Sequence, residues 1–197
     1  MYLNRDSVKH IFTLEDKIFF TSDTHFGHEN ILKYCHRPFT NITEHDEELI
    51  RRWNEVVPPD GIVFHLGDIA FCSEVYLKEI LNRLNGKIYW ILGNHDWRRI
   101  TSGIMNRFEH ITQQMMIKID GENIYLNHFP FLCYPDSKRH TVYQFFGHVH
   151  SGPLSQDGSD ISRLVNLMPN QYDVGVDNNN FTPVSFQEIK QKIGQKN

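Results

Sequence analysis

The sequence has few cysteines, no long apolar run and no excess of positive charge. Its three cysteines, Cys35, Cys72 and Cys133, are an odd number without C-x-x-C spacing, which argues against a disulfide framework or a structural zinc site and indicates free thiols in a reducing compartment. No apolar segment approaches the about 20 residues that a membrane-spanning helix needs. The first residues also lack the apolar stretch of a secretory signal. We therefore expect a cytoplasmic location and no membrane partner.

The formal net charge of −4 gives no reason to expect general affinity for nucleic acid. The 197 residues, 40% of them hydrophobic, suit one domain with a sizeable core. No linker, internal repeat or low-complexity segment divides the chain, so we predict a single domain over residues 1–197. Histidine is the one unusual residue, with 12 copies.

The first half of the chain predicts an α/β fold. Strands are expected at 17–22, 62–66 and 87–92, after an edge strand near His10. Between them lie two segments with apolar residues at helical spacing, one opening at Thr43 and one capped by Ser73. This β-α-β-α-β order is typical of a mainly parallel sheet with helices on its faces.

The second half lacks this alternation. After a helix expected near 98–108, short strands follow one another without helices between them, and a last helix is expected at about 185–193. These strands are predicted at 115–120, 123–127, 142–146, 163–167 and 172–176. We therefore expect more antiparallel pairing here, within one mixed sheet or two packed sheets.

Several predicted strands end in Asp, Asn or His, and together they predict a metal site assembled across one sheet. The candidate ligands are Asp23, His25, Asp68, Asn94, His128, His148 and His150. Carboxylate, imidazole and amide donors without thiolate suit Mn, Fe, Zn, Co or Ni. Seven candidates are too many for one ion that keeps open positions but fit two, and a carboxylate such as Asp68 could bridge them. The loops 129–141 and 151–162 follow these ligands and are expected to border the site.

In chain order these residues form the motifs D-x-H, G-D, G-N-H-D, a single His and G-H-x-H. From residue 18 to about 150, the set resembles the calcineurin-like metallophosphoesterase superfamily. The segment T-S-D-T-H-F-G-H-E-N-I with a following R-P-F is similar to a compact bacterial and phage branch. The resemblance implies a sandwich of two mixed β-sheets flanked by helices. It assigns one metal to Asp23, His25, Asp68 and His150, and the other to Asp68, Asn94, His128 and His148.

The resemblance implies a metal-dependent phosphoric ester hydrolase. A hydroxide bridging two divalent ions would attack the phosphorus of a small phosphodiester or phosphomonoester, with manganese as the first expectation and Fe, Zn, Ni or Co as the others. Two other functions stay open. A nuclease acting on DNA or RNA ends would need a basic groove, which the sequence does not indicate. A metal-free interaction scaffold of the same fold would be expected to have lost ligands.

Five further residues are candidates for catalysis or substrate binding. His95 is similar to the family histidine that contacts phosphate or protonates the leaving oxygen. Asp96 would orient His95 or, equally, cap the helix expected to follow it. His28, Asn30 and Arg37 come after the first ligands and could bind the substrate phosphate, Arg37 through its planar guanidinium. The alternative for Arg37 is an ion pair with a surface acid.

Overall fold

The computed structural model describes residues 10–154 and 162–195, and within them the chain forms two five-stranded sheets. The strands are β1 (His10–Phe12), β2 (Ile18–Thr21), β3 (Ile62–His65), β4 (Lys87–Ile91), β5 (Phe108–Thr112), β6 (Gln114–Ile119), β7 (Glu122–Asn127), β8 (Val142–Phe146), β9 (Gln171–Asp173) and β10 (Val184–Ser185). One sheet has the order β10-β2-β3-β4-β5 and the other β1-β6-β7-β8-β9. The predicted sandwich of two mixed sheets is confirmed.

Five α-helices flank the sheets in the described part of the chain. They are α1 (Ile31–Tyr34), α2 (Ile42–Val56), α3 (Glu74–Arg83), α4 (Ser102–Met105) and α5 (Phe186–Gly194). Ser73 caps α3 as predicted. The longer helix α2 begins one residue before the predicted Thr43, because the side chain of Asn41 accepts a hydrogen bond from the amide of Glu44. None of the described helices is long and apolar enough to cross a bilayer.

The expectation of more antiparallel pairing in the second half is met only in part. Among the described strands of the second sheet, only β6 and β7 pair antiparallel, across the turn at Gly121. The pairs β1–β6, β7–β8 and β8–β9 are parallel. The physical reason is the long segment 128–141 between β7 and β8, because a connection of about a dozen residues lets the chain cross over and return in the same direction.

Two other predicted elements differ from the structure. The helix expected near 98–108 is a 3₁₀ turn, Trp97–Arg99, followed by α4 and then by strand β5, which the sequence analysis missed. Strand β5 pairs parallel with β4, and Glu109 and His110 within it are exposed, so its apolar pattern is weak. The strand expected at 163–167 is a 3₁₀ turn, Ser162–Asn166.

Two apolar cores use opposite faces of the first sheet. Val63 and Trp90 pack with the helix residues Trp53 and Leu77 in one core, while Phe64, which follows Val63, lies in the other core between the sheets. This division follows from the alternation of side chains along a strand. Strands β2, β3 and β4 are therefore packed on both faces, and this packing fixes the starting points of the loops that leave their carboxyl ends.

His65, the last residue of β3, is fully buried in its neutral form. Its Nε2 lies 2.9 Å from Thr24 Oγ1, and that hydroxyl donates to the carbonyl of Ile69, so Nε2 carries the proton and donates to Thr24. Nδ1 has no hydrogen-bond partner among the described residues. Burial lowers the pKa of His65 to about 3, because the nearby Asp68 charge offsets only part of the cost of burying a charged ring.

This burial predicts a loss of stability in acid. The unfolded chain binds the His65 proton near pH 6.5 and the fold only near pH 3, so between these values the unfolded state binds more protons and stability falls as pH falls. We expect the fall in free energy of unfolding between pH 7.5 and pH 5 to be smaller in His65→Gln by about 2 kcal/mol. Urea unfolding of metal-free protein at both pH values measures it. Exposed His140→Gln is the control, and equal pH dependence in all three proteins would contradict the assignment.

Candidate metal centre

The seven candidate ligands meet at one edge of the sandwich, although they do not come from one sheet. Asp23, His25, Asp68 and Asn94 follow β2, β3 and β4 of the first sheet, whereas His128, His148 and His150 follow β7 and β8 of the second. The expectation of a site across a single sheet is therefore wrong. A hydrogen bond links the loops of the two sheets here, in which the amide of His148 donates to Asp23 Oδ2 at 2.9 Å.

The backbone at this edge is strained. Five of the seven candidates have left-handed backbone angles, with φ between 47° and 72°, and they are Asp23, His25, Asp68, His148 and His150. A residue other than glycine held in this region costs on the order of 1–3 kcal/mol, and such residues cluster at functional sites. Each of them lies just beyond a strand, where the sharp turn directs a carboxylate or an imidazole into the common space.

The side chains form two groups that could each hold a cation. Asp23, His25 and His150 bring their donor atoms within 4.8 Å of one another, and so do Asp68, His128 and His148. Asp68 lies between the groups, because its Oδ2 is 3.8 Å from His25 Nε2 and 3.4 Å from His128 Nε2.

Two donor atoms at the centre are buried without a partner among the described residues. They are Asp23 Oδ1 and His25 Nε2. A buried polar atom without a partner costs about 1–3 kcal/mol, unless a ligand such as a cation satisfies it. Asn94 joins the second group, since its Oδ1 lies 3.0 Å from His128 Nε2. Oxygen and imidazole donors, two of them unpartnered, fit divalent transition-metal ions.

The glycine before Asn94 makes room for the carboxylate between the groups. A Cβ added at Gly93 would collide with Asp68 Oδ1, and it would lie 2.7 Å from the Asp68 amide nitrogen. Because real Cβ atoms do not approach other atoms so closely, only glycine lets the loops after β3 and β4 meet here. The same closeness lets the His95 amide donate to Asp68 Oδ1 at 2.9 Å.

The charges of the centre raise the pKa of two candidate imidazoles and lower that of a third. Burial lowers the pKa of His128, but its hydrogen bond with Asp68 and the nearby Asp23 outweigh burial and raise the pKa to about 9. Burial likewise opposes protonation of His150, yet its hydrogen bond with Asp177 holds the pKa well above the usual range. Burial and the neighbouring His150 instead hold the pKa of His25 well below it. An ion bound at these nitrogens would have to displace such protons.

Arg37 does not face this space, contrary to the expected substrate contact. Its guanidinium is fully buried and forms a two-pronged ion pair with Asp177, with Nε–Oδ1 and Nη2–Oδ2 both 2.8 Å. The remaining donors reach the carbonyls of Asp23 and Thr24 and the ring of His45. All five N–H groups are thus engaged, and none is left for phosphate. Arg37 therefore forms an ion pair, which was the alternative expectation, although its partner Asp177 is buried and does not lie at the surface.

The acid in this pair, Asp177, also orients a candidate ligand. Its Oδ2 lies 2.7 Å from His150 Nδ1, which leaves His150 Nε2 near Asp23 Oδ1 at 3.8 Å. Burial raises the pKa of Asp177, but Arg37 and His150 outweigh burial and hold the pKa far below its usual range. A carboxylate behind a ligating imidazole fixes the ring and its tautomer. Asp177 was not predicted from the sequence, although it follows a predicted strand as the candidate ligands do.

The buried pair predicts a large loss of stability on removal of Arg37. Arg37→Ala would leave Asp177 buried without its partner, which costs about 3–5 kcal/mol. Arg37→Lys keeps the positive charge but loses the two-pronged guanidinium, so its stability should lie between those of the wild type and Arg37→Ala. The exposed pair of Arg51 with Glu48 supplies the control, since Arg51→Ala should cost less than about 1 kcal/mol. Urea unfolding of metal-free proteins measures the losses. An Arg37→Ala protein as stable as Arg51→Ala would refute this role.

Asp96 has neither of its expected roles. Its buried carboxylate accepts four hydrogen bonds, from the amides of Asp68, Ile69 and Gly93 and from the indole of Trp90. In the described structure it makes no capping bond to the turn that follows, and none to His95. Burial and the Asp68 charge raise the pKa of Asp96 to about 6. Asp96 therefore ties the loops after β3 and β4 together beneath the ligands.

The three remaining candidates occupy different positions. His95 lies at the mouth of the centre, with 46% of its side chain exposed and its Nε2 3.9 Å from Asp68 Oδ2. His28 lines the same cavity, and its ring stacks on Phe71 with centroids 4.7 Å apart. Asn30 is exposed at the start of α1 and does not line the cavity, so the structure does not support its expected substrate contact.

Comparisons with known proteins bear on the family and the fold. The family description "Calcineurin-like phosphoesterase" matches residues 16–167. The uncharacterized protein MJ1445 of Methanocaldococcus jannaschii is 35% identical over 179 residues, which cover 90% of this chain and 91% of that protein. The gene 66 protein of Mycobacterium phage L5 is 28% identical over 159 residues, which cover 67% of this chain and 76% of that protein. A protein of unknown function from Aquifex aeolicus has the same fold, with a TM-score of 0.66 and 24% identity, covering 89% of this chain and 98% of that one.

Proposed function

The chain belongs to the calcineurin-like phosphoesterase family, and from that premise we propose that it hydrolyses small phosphate esters with two divalent metal ions. One ion would be held by Asp23, His25, Asp68 and His150, and the other by Asp68, Asn94, His128 and His148. The observation that carries the proposal is the position of the Asp68 carboxylate, within 4 Å of imidazoles from both donor groups.

The bound ions would supply an activated water and offset the negative charge that develops on the phosphoryl oxygens. The protein's own part is positioning and proton transfer. Asp177 holds His150 in one orientation, and the His95 amide holds Asp68. The His95 side chain is exposed at the mouth, where it could give a proton to the departing oxygen.

The donor set leaves several metals open. Manganese is our first candidate, with Fe, Zn, Ni and Co as the others, because carboxylate and imidazole donors suit all five. The three cysteines are free, which agrees with a reducing compartment, and we propose the cytoplasm. The described residues that line the metal-site cavity include no lysine or arginine, which argues against a long nucleic acid as substrate.

Metal titration tests the proposal. We expect chelator-treated protein to bind two manganese ions per chain, with spin coupling in the electron paramagnetic resonance spectrum because Asp68 would join both sites. Hydrolysis of nitrophenyl phosphate esters should be absent without metal and appear as both sites fill. His140→Ala, at an exposed loop position, should bind two ions as well. A single ion at saturation would contradict the dinuclear assignment, and full activity without metal would contradict metal dependence.

A further inference from the structure

Two cavities meet at the candidate metal centre. The metal cleft, about 410 Å³, is lined by five of the seven candidate ligands together with the apolar residues Ile31, Tyr34 and Phe71. The Phe129 cleft, about 630 Å³, is mostly apolar. Its apolar lining consists of Phe129, Pro130, Phe131, Leu132, Leu164 and Leu167. Both cavities include His148 and Val149, so the two clefts adjoin across a candidate ligand.

Neither cleft has a permanently positive side chain among its described lining residues. The described residues that line them include no lysine or arginine. Arg37 uses all its donors inside the protein, and Arg99, with its guanidinium 5.1 Å from the ring centre of Phe71, donates to the Cys72 carbonyl and lines neither cleft. Sites for a phosphomonoester dianion commonly hold it with arginine or lysine. A phosphodiester has one negative charge fewer and needs no such clamp.

Apolar side chains stay exposed on both sides of the donor groups. Phe129 is 43% exposed and packs edge-on against His148, with ring centres 4.6 Å apart. Leu132 is 86% exposed, and Phe71, across the centre, is 46% exposed. Exposed apolar side chains beside a polar centre are typical of a ligand site. Planar groups of a ligand gain stacking energy on such aromatic walls.

We propose that the substrate is a small phosphodiester with an apolar or aromatic group on each ester oxygen, one group seated against Phe71 and the other in the Phe129 cleft. This proposal rests on the phosphoester hydrolysis proposed above. In the reaction, the hydroxyl of water bonds to phosphorus and one ester P–O bond breaks. The departing oxygen takes up the other proton of the water, so the products are a phosphomonoester and an alcohol.

A substrate series with one leaving group tests the proposal. The substrates are 4-nitrophenyl phosphate, methyl 4-nitrophenyl phosphate and phenyl 4-nitrophenyl phosphate, assayed with manganese-loaded protein. We expect kcat/KM to be about tenfold higher for the phenyl than for the methyl diester, which is the order of one stacking contact. The monoester should be the poorest substrate. Equal values for the two diesters, or a monoester as good as the phenyl diester, would overturn the proposal.

A matched pair of variants locates the effect. Leu132→Ser removes apolar surface from the Phe129 cleft, whereas Val165→Ser changes a side chain that is 83% exposed and lines neither cleft. We expect Leu132→Ser to lower the phenyl-to-methyl ratio of kcat/KM by about fivefold, within the range for one pocket contact. Val165→Ser should keep the wild-type ratio. Equal ratios in the two variants would remove the Phe129 cleft from the proposal.

Equilibrium binding gives a readout without turnover. Diphenylphosphinate and dimethylphosphinate carry the same single charge, and neither has an ester bond to hydrolyse. Calorimetry on manganese-loaded protein should find the diphenyl compound about tenfold tighter, and less so in Leu132→Ser. Equal affinities would overturn the two-cleft proposal. If the protein hydrolyses no phosphate ester at all, the proposed function fails, whereas hydrolysis without a diester preference leaves that function standing and defeats only this inference.

Discussion

Asp68→Asn is expected to lose both metal ions and to lower kcat/KM by about a thousandfold or more, because one carboxylate serves both donor groups. Asp68 Oδ2 lies within 4 Å of the Nε2 atoms of His25 and His128, and Asp68 Oδ1 accepts a hydrogen bond from the His95 amide. An asparagine has the same shape but no charge, and its NH₂ group would meet the ring nitrogens as a second donor.

The variant should still fold. Residue 68 has a φ of 55°, and asparagine tolerates the left-handed region as well as aspartate does. Metal content per chain, measured together with kcat/KM and the unfolding midpoint of metal-free protein, separates a lost site from a lost fold. Asp60→Asn, which removes an exposed ion pair with Lys17, is the control and should keep both ions. An Asp68→Asn protein with wild-type metal content and turnover would refute the shared carboxylate.

The grouping of the candidate ligands could be predicted because their signal in the sequence is local. An apolar run followed by Asp, Asn or His describes a strand and the loop at its end, and the structure brings the seven residues so described to one edge. Their division between two sheets could not be predicted in this way. This division depends on which strands pair. The parallel pairing of β8 with β7 is determined by packing between residues that are distant in the sequence.

Buried polar residues were the main failure of the sequence analysis. Arg37 was expected to meet substrate, yet its partner Asp177 lies 140 positions along the chain. His45 and Asp46 lie on α2 among charged neighbours, yet both are fully buried. The sequence does not distinguish a charged side chain that is solvated by water from one that is paired with a buried counter-charge, because the fold determines the partner.

His95→Asn is expected to keep both metals and to lose activity in a way that depends on the leaving group. His95 follows the candidate ligand Asn94, and its side chain lies at the mouth with 46% exposed rather than within either donor group. As a general acid it would matter most when the departing oxygen is a basic alkoxide. The loss in kcat/KM with alkyl esters should approach about 10²–10⁴-fold. With nitrophenyl esters it should be much smaller, because nitrophenolate leaves without a proton.

The measurement is kcat/KM for wild type and His95→Asn across diesters whose leaving alcohols span a range of pKa, with the second ester group held constant. Metal content is checked in each protein, and exposed His110→Asn serves as the control. Removal of a general acid makes kcat/KM depend more steeply on the pKa of the leaving group, because the alkoxide must then depart unprotonated. If His95 instead only contacts a phosphoryl oxygen, every ester suffers alike and the two plots run parallel. Parallel plots would therefore reject the acid role and leave electrostatic stabilisation as the contribution of His95.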